Sequence, residues 1–347
     1  MERVINYGVI GTGAVFEAFQ IDALHRVEGL SIKAVCDIDK ERLDSVREKY
    51  KIPECYTDYR ELLKDNEIDV VMVNLPQHAH RDVSVEAARA GKHLYVEKPI
   101  STVLSDAKDI IEACKENCVK LCVGHQRRFI TTDMKVKEFI DQGYLGKIYR
   151  LRAVACWFEN LQNLLSKEWW YKKEYGGGPL MRWGVHKTDS MRYLLQKDAT
   201  EVYAQSGQFV HTEDRITVED TLIALYRFED GILGELNVSN SQHEWGFMGE
   251  YIELWGEKGT LRYWPSEGKM HIYIPETENP FQNSYQKLTI RPDGMEMVRI
   301  HQAFIESIRN DTNPPVSGED GYRALEMVIG AYWSAEKGKP VKLPLIY

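Results

Sequence analysis

Over roughly its first 125 residues the chain repeats one pattern: a short, continuous apolar run, a polar break, and an amphipathic stretch of helical length. Apolar runs fall at Ile5 to Ile10, Ile32 to Cys36, Val70 to Asn74, His93 to Val96 and Leu121 to Val123, with helical patterns at Lys40 to Tyr50, Val83 to Ala90 and Ser105 to Cys118. A run that is apolar throughout reads as a strand covered on both faces, and parallel neighbours can be joined only by a crossover long enough to hold a helix. The pattern predicts an α/β, doubly wound parallel sheet, with ligands expected at the carboxyl ends of its strands.

The segment Gly8-Val9-Ile10-Gly11-Thr12-Gly13-Ala14-Val15-Phe16 places a Gly-x-Gly turn directly after the first run and ahead of a helical stretch. Gly11 makes the turn and Gly13 lets the backbone approach a phosphate. The amides of Thr12, Ala14 and Val15 complete a helix N-terminus that favours the charge of a pyrophosphate. The third fingerprint position, normally Gly or Ala, holds Phe16, so close packing of that helix on the sheet must be solved differently. The second run leads into Asp37, at about the 20-residue offset where a carboxylate accepts both ribose hydroxyls of NAD and repels the 2′-phosphate of NADP. The bland alternative for Asp37 is a helix cap. Asn74, Pro76 and His78 add a loop at the carboxyl edge of the sheet. NAD is the expected cofactor, with NADP disfavoured.

After about Gly124 the texture changes to closely spaced runs rich in Val, Tyr, Phe and Trp: Ile148 to Phe158, Glu201 to Phe209, Ala224 to Val238, Tyr251 to Trp255, Thr260 to Trp264 and Met270 to Ile274. Asp230-Gly231 is a tight-turn signal inside the third of these. Helical patterns at Met297 to Arg309 and Gly321 to Lys337 close the chain. The expected second domain, residues 126–347, is α+β with an open, mostly antiparallel sheet of about six strands.

A length of 347 residues suits two domains, and 43% hydrophobic with 28% charged residues excludes disorder. The net charge of −9 would repel a nucleic-acid backbone. No stretch approaches the roughly 18 apolar residues of a membrane span, and the start lacks a signal peptide's apolar region, so a cytoplasmic location is expected. Six cysteines are too few for a disulfide scaffold. Cys114, Cys118 and Cys122 lack the histidine spacing of a metal site and read as buried small side chains; no metal is expected.

Tyr95-Val96-Glu97-Lys98-Pro99 ends the fourth run, and the stretch from Gly176-Gly177-Gly178 through Arg182 and His186 to Asp189 opens a helix in the second domain. With the dinucleotide turn and the Gly256-Glu257-Lys258-Gly259-Thr260 turn, these motifs resemble the glucose–fructose oxidoreductase / inositol dehydrogenase / rhizopine catabolism (Gfo/Idh/MocA) family over essentially the whole chain. The resemblance implies a Rossmann domain at 1–125 and a substrate-binding and oligomerisation domain at 126–347. It implies Lys98 beside the nicotinamide as the catalytic lysine, Glu97 among the cofactor contacts, His186 on the reacting hydroxyl or carbonyl, and Pro99 in a cis peptide that aims Lys98. The chemistry agrees, since removing hydride from a secondary alcohol requires its hydroxyl proton to leave at the same centre. An imidazole, or a lysine of lowered pKa, can take that proton near neutral pH.

One residue departs from the family pattern: Arg182 stands where Asp or Asn is usual, four residues before the histidine. Arginine stays charged and accepts no proton. Turned into the cleft, Arg182 would depress the Lys98 pKa and offer a fork to a substrate carboxylate or phosphate; paired outward with an acid, it would be structural and the substrate neutral. Asp189, three residues after His186 on a helix, is placed to contact it or the substrate, and Arg127 sits where the family's interdomain loop approaches the substrate.

Trp157, Phe158, Trp169, Trp170, Tyr171, Tyr175, Trp183, Trp245 and Phe247 enrich this half in aromatic faces, which pack on the C–H faces of a carbohydrate or cyclitol, with Trp157 and Trp170 the expected contacts. The leading expectation is an NAD-dependent dehydrogenase of a sugar, sugar acid, glycoside or inositol. The alternatives are a glycosidase or lyase that recycles NAD internally and a non-catalytic NAD-responsive regulator. The open sheet implies a homo-oligomer, a dimer or tetramer.

Overall fold

The computed structural model describes residues 3–243, 249–275 and 284–346. The chain divides into two compact units, the first comprising Met1–Gln126 with Met295–Tyr322 and the second Arg127–Gly294 with Arg323–Tyr347. Residues 295–322 thus return to the first unit after the chain has entered the second.

The first unit is built on six parallel strands, β1 (Ile5–Ile10), β2 (Leu30–Cys36), β3 (Glu54–Tyr56), β4 (Val70–Val73), β5 (His93–Val96) and β6 (Leu121–Val123), in the order β3-β2-β1-β4-β5-β6. The order reverses between β1 and β4, the switch point at which open α/β sheets bind ligands. Val70, Val71, Met72 and Val73 are all fully buried, as two-sided cover requires, each burial being worth roughly 1.5–3 kcal/mol. The helix Lys40–Tyr50 spans its expected range, capped by Asp39, whose carboxylate accepts the Arg42 N–H at 3.1 Å. The three-residue β3 gave too short a pattern to be read.

From the returning segment, the helix Glu296–Arg309 buries Ile300, Phe304 and Ile305, and sets the His301 ring against Tyr7 and Tyr95, with centroids 5.7 and 4.2 Å apart.

Among the described residues the second unit carries nine strands rather than about six: β7 (Ile148–Cys156), β8 (Ala199–Gly207), β9 (Thr221–Phe228), β10 (Leu233–Ser239), β11 (Gly249–Gly256), β12 (Gly259–Trp264), β13 (Lys269–Ile274), β14 (Ser284–Thr289) and β15 (Val341–Lys342). β14 and β15 are the edge strands of the order β14-β13-β12-β11-β7-β10-β9-β8-β15. Among the described residues of this sheet only the β7–β10 pair is parallel. Asp230 and Gly231 turn β9 into β10 at φ of 56° and 76°, the left-handed conformation a tight hairpin requires. One sheet face is covered by the helix Val185–Leu195 and by the later part of the helix Gly318–Lys337, where Tyr226 donates to the Met327 carbonyl at 3.0 Å. The other face leaves Tyr203, Ile223, Leu225, Leu233, Tyr273 and Tyr285 exposed.

All six cysteines are free thiols. Cys114 and Cys122 are buried as expected, but Cys118 is exposed, because the helix Leu104–Glu116 has ended and Cys118 sits in the left-handed turn that follows it. Trp245 and Phe247 lie outside the described residues.

Candidate active site

In the first unit, Gly11 leaves β1 at φ +95°, and a Cβ there would lie 2.3 Å from the Asn74 carbonyl oxygen, so only glycine fits. Asn74 locks the turn by donating from Nδ2 to the Gly11 carbonyl at 3.0 Å. A Cβ on Gly13 would meet nothing within 4 Å, which leaves the clearance a phosphate needs. Phe16, in the place of the fingerprint's third small residue, is accommodated because the chain opens into a π-turn over Phe16–Gln20, and the ring is fully buried. Pro76 starts the short 3-10 turn Gln77–Ala79, which leaves His78 exposed.

Asp37 is only 7% exposed at the end of β2. Its Oδ2 accepts the Thr12 N–H and hydroxyl at 2.8 and 2.9 Å, and its Oδ1 accepts the Asp39 N–H at 3.0 Å. Arg42 donates to both oxygens, from Nε at 3.2 Å and from a terminal nitrogen at 2.7 Å. Burial pushes the carboxyl pKa up, but the bonds from Arg42, Asp39 and Thr12 together hold it below the usual range. Asp37 is therefore not a cap: Asp39 does that work. Thr12, expected among the cofactor contacts, spends its amide and hydroxyl on Asp37.

Glu97 is anchored before Lys98 begins. Its carboxylate accepts from the Gln20 side-chain amide and from the Lys98 N–H, the latter at 3.3 Å. Gln20 in turn accepts from His301 Nε2 at 3.0 Å, which leaves Nδ1 facing the Tyr7 hydroxyl at 3.5 Å. Burial pushes Glu97 up and holds His301 neutral, with a pKa of about 3. Lys98 follows β5 at the carboxyl edge of the sheet, half-buried, and the Lys98–Pro99 peptide is cis, as the resemblance implies. His80 closes the same edge by bonding the Leu75 and Ile100 carbonyls at 2.9 and 3.2 Å.

In the second unit, Gly176 and Gly178 take φ of 76° and 92°, and Glu219 receives the Leu180 N–H at 3.1 Å as the chain enters a second π-turn, Leu180–Gly184, ahead of the helix Val185–Leu195. His186 lies in the first turn of that helix, 3% exposed, with the Trp183 ring 6.3 Å away and Trp157 packed edge-on to Trp183 at 5.1 Å. Arg182, from the π-turn, pairs with Glu159 through both terminal nitrogens, at 2.9 and 3.4 Å, and its guanidinium lies 4.2 Å from the centre of the Trp170 ring. Of the two readings left open for Arg182, pairing with an acid is the one found, although the pair is buried, with side chains 11% and 5% exposed.

Two of the candidate residues are held by buried ion pairs. Asp189, fully buried, takes a two-pronged ion pair from Arg128 at 2.9 and 2.6 Å. Arg127 donates from one terminal nitrogen to buried Glu250, which also accepts Lys187 Nζ at 2.5 Å. Burial alone would raise the Glu250 pKa, but Arg127 and Lys187 hold it at about 2.

A sequence model described as "Oxidoreductase family, NAD-binding Rossmann fold" matches residues 5–125, and a second, "GFO/IDH/MocA C-terminal domain", matches residues 134–262. The chain belongs to the GFO/IDH/MocA oxidoreductase family. As in that family, its first unit is an NAD-binding Rossmann domain. This GFO/IDH/MocA protein is 27% identical to myo-inositol 2-dehydrogenase of Thermotoga maritima over 97% of this chain and 98% of the relative. It is 25% identical to D-glucoside 3-dehydrogenase of Escherichia coli, over 98% and 97%. Among solved structures, the WlbA dehydrogenase of Bordetella pertussis, in complex with NADH and UDP-GlcNAcA, superposes with a TM-score of 0.86 at 25% identity, covering 100% of this chain and 99% of that one.

The residues present suit NAD. Gly13 gives phosphate clearance, Asp37 is a hydroxyl acceptor, and Val15 and Ile38, 45% and 91% exposed, leave apolar surface for the flat parts of a dinucleotide. Gln20, Arg42, Glu159 and His301 went unread in the sequence, because none sits in a motif; each is recruited by a partner distant in the chain or by the turn of a helix.

Proposed function

We propose that this chain oxidises a secondary hydroxyl of a sugar, sugar acid, glycoside or inositol, with NAD preferred over NADP. The observation that carries the reading is the Glu97–Lys98 segment at the carboxyl edge of an NAD-binding sheet, with Glu97 held by Gln20 and by the Lys98 amide. The names of the relatives, an inositol and a glucoside dehydrogenase among them, support the substrate class.

NAD, when bound by Gly11, Gly13, Ala14, Val15 and Asp37 with Asn74, Pro76 and His78 at the edge, supplies the hydride acceptor. The chain supplies the rest. Lys98, as the neutral amine, takes the hydroxyl proton while the carbinol hydrogen leaves as hydride and the C–O bond becomes C=O. His186 holds the reacting oxygen by a hydrogen bond, and the Trp157 ring offers a face to the C–H side of the ring, while Trp170 is taken up by the Arg182 guanidinium. Asp37 keeps its charge in the neutral range, which disfavours a 2′-phosphate; Arg42, with a side chain 39% exposed, is the partner able to turn aside for a ribose.

The test is absorbance of reduced nicotinamide after mixing protein and NAD with inositols, glycosides, neutral sugars and uronic acids. NADH formation with one class supports the reading; product without net NADH would instead indicate internal recycling. A Lys98→Met variant that keeps full turnover would refute the role of Lys98.

We also infer a homo-oligomer in which a second copy covers the exposed face bearing Ile223, Leu225, Leu233 and Tyr203. A monomer in sedimentation at micromolar concentration would overturn it. Six free thiols suit a reducing cytoplasm, and no described helix is long and apolar enough to cross a membrane.

A further inference from the structure

Arginine recognises a carboxylate or phosphate by presenting two parallel N–H donors to two oxygens, and that fork is what an anionic sugar would need from Arg182. Both terminal nitrogens of Arg182 are already committed to the two oxygens of one side chain, Glu159. Glu159 is itself held in place: its Oε1 also accepts from Asn163 Nδ2 at 2.9 Å, its Oε2 from Asn240 Nδ2 at 3.5 Å, and its own N–H donates to the Asn240 carbonyl at 2.9 Å. The flat face of the guanidinium is occupied as well, at 4.2 Å from the Trp170 ring centre. That ring is fixed from behind by the small apolar cluster of Leu164, Ile216 and Val218. Neither partner can swing away cheaply, because separating them would strand a charge that is almost fully buried.

We propose that Glu159 is a specificity-determining residue: by filling the Arg182 fork with a carboxylate of the protein, it restricts the neighbouring subsite to neutral polyhydroxy ligands and rejects uronic acids and sugar phosphates. The inference rests on the carbohydrate reading given above and narrows it to the uncharged members of that class. An anionic ligand arriving at this pair meets Glu159 as a like charge and finds no fork open to it. A neutral ring meets the aromatic ring of Trp157 and a balanced ion pair, whose net field is weak at the distance of a hydroxyl. Aspartate in place of Glu159 would be a methylene too short to keep both contacts, so the length of this side chain is part of the selection.

The experiment compares wild type, Glu159→Gln and the double variant Glu159→Gln/Arg182→Gln. Each is titrated calorimetrically in the presence of NADH with two matched pairs, methyl β-D-glucoside against methyl β-D-glucuronide and D-galactose against D-galacturonate, and each is assayed for NADH formation with the same compounds and NAD. The wild type is expected to favour the neutral member of a pair at least tenfold. Glu159→Gln, which releases the fork while keeping the shape, is expected to shift that ratio at least tenfold toward the acid. The double variant, neutral at both positions, is expected to lose the shift while still binding the neutral sugar. Wild-type preference for the acid, binding of no neutral member, or an unchanged ratio in Glu159→Gln would each overturn the proposal. The wild-type ratio decides even if a variant fails to fold. Selective binding of the neutral member without NADH or any other product would refute the dehydrogenase reading while leaving the role of Glu159 standing.

Discussion

Glu219 offers a direct test of how the second unit holds its key turn. Its carboxyl accepts the Leu180 N–H at 3.1 Å and the Tyr332 hydroxyl at 2.9 Å, just where the chain enters the π-turn that carries Arg182. Burial dominates and Asp220 adds like charge, so the pKa is pushed up to about 7 from an ordinary 4.5. An acid whose folded pKa lies above its unfolded value binds more protons in the folded state, so stability falls as pH rises from about 4.5 to about 7 and is level beyond. The shift corresponds to about 3 kcal/mol, and because the side chain keeps some exposed surface we take about 2 kcal/mol as the working figure.

Glu219→Gln keeps an acceptor oxygen for Leu180 and Tyr332 but cannot ionise. Its stability relative to wild type should therefore improve by about 2 kcal/mol between pH 5 and pH 8, roughly 4–8 °C in Tm for a unit of this size. Thermal unfolding of both proteins followed by circular dichroism across that range supplies the difference curve, and any constant cost of the amide drops out of its slope. A difference that stays flat with pH, or that moves against the variant as pH rises, would refute the claim that the folded state prefers the protonated acid.

Glu250→Ala leaves Arg127 and Lys187 buried without their shared carboxylate and should cost about 3–5 kcal/mol in urea unfolding; a loss under about 1 kcal/mol would mean the triad is not the strut it is taken for. The same group sets an acid limit, since a folded pKa of about 2 contributes stability above the unfolded value and loses it as pH falls toward 2. This loss should be absent from the acid unfolding curve of Glu250→Gln. Gly11→Ala forces a Cβ to 2.3 Å from the Asn74 carbonyl at a positive φ and should weaken NADH binding at least tenfold in a fluorescence titration; parental affinity would dissociate that turn from the cofactor.

Much of the first unit was legible because its order is local: a strand covered on both faces is apolar throughout, and a parallel crossover needs a helix, so the strands at 5–10, 93–96 and 121–123 and the helix at 40–50 stand where the pattern puts them. Asp37 and the glycine turn were legible for the same reason, each adjoining a strand end, whereas Lys98 was singled out only by the family resemblance. What escaped depends on partners far along the chain. Arg182 is satisfied by Glu159, Asp189 by Arg128, Arg127 by Glu250 and Gln20 by His301, and nothing in the local spacing of any of these residues announces the other. Phe16 posed a packing problem whose solution, an extra residue in the helical turn, leaves no composition signature. The edge strands β14 and β15 were missed because an edge has one neighbour and needs little apolar pattern.

The return of residues 295–322 to the first unit bears on how this protein is made. Tyr7 and Tyr95 emerge from the ribosome early, but the ring they pack against, His301, and the Phe304 beside it are separated from them by the whole of residues 127–294. At 5–20 residues per second that interval lasts on the order of ten seconds or more, during which the nascent sheet holds an unfilled seat for a helix not yet synthesised. A nascent chain arrested near residue 126 should accordingly be more open to protease at its first unit than one arrested beyond residue 322. The N-terminal unit, first to be started, cannot be finished until residue 322 has been made.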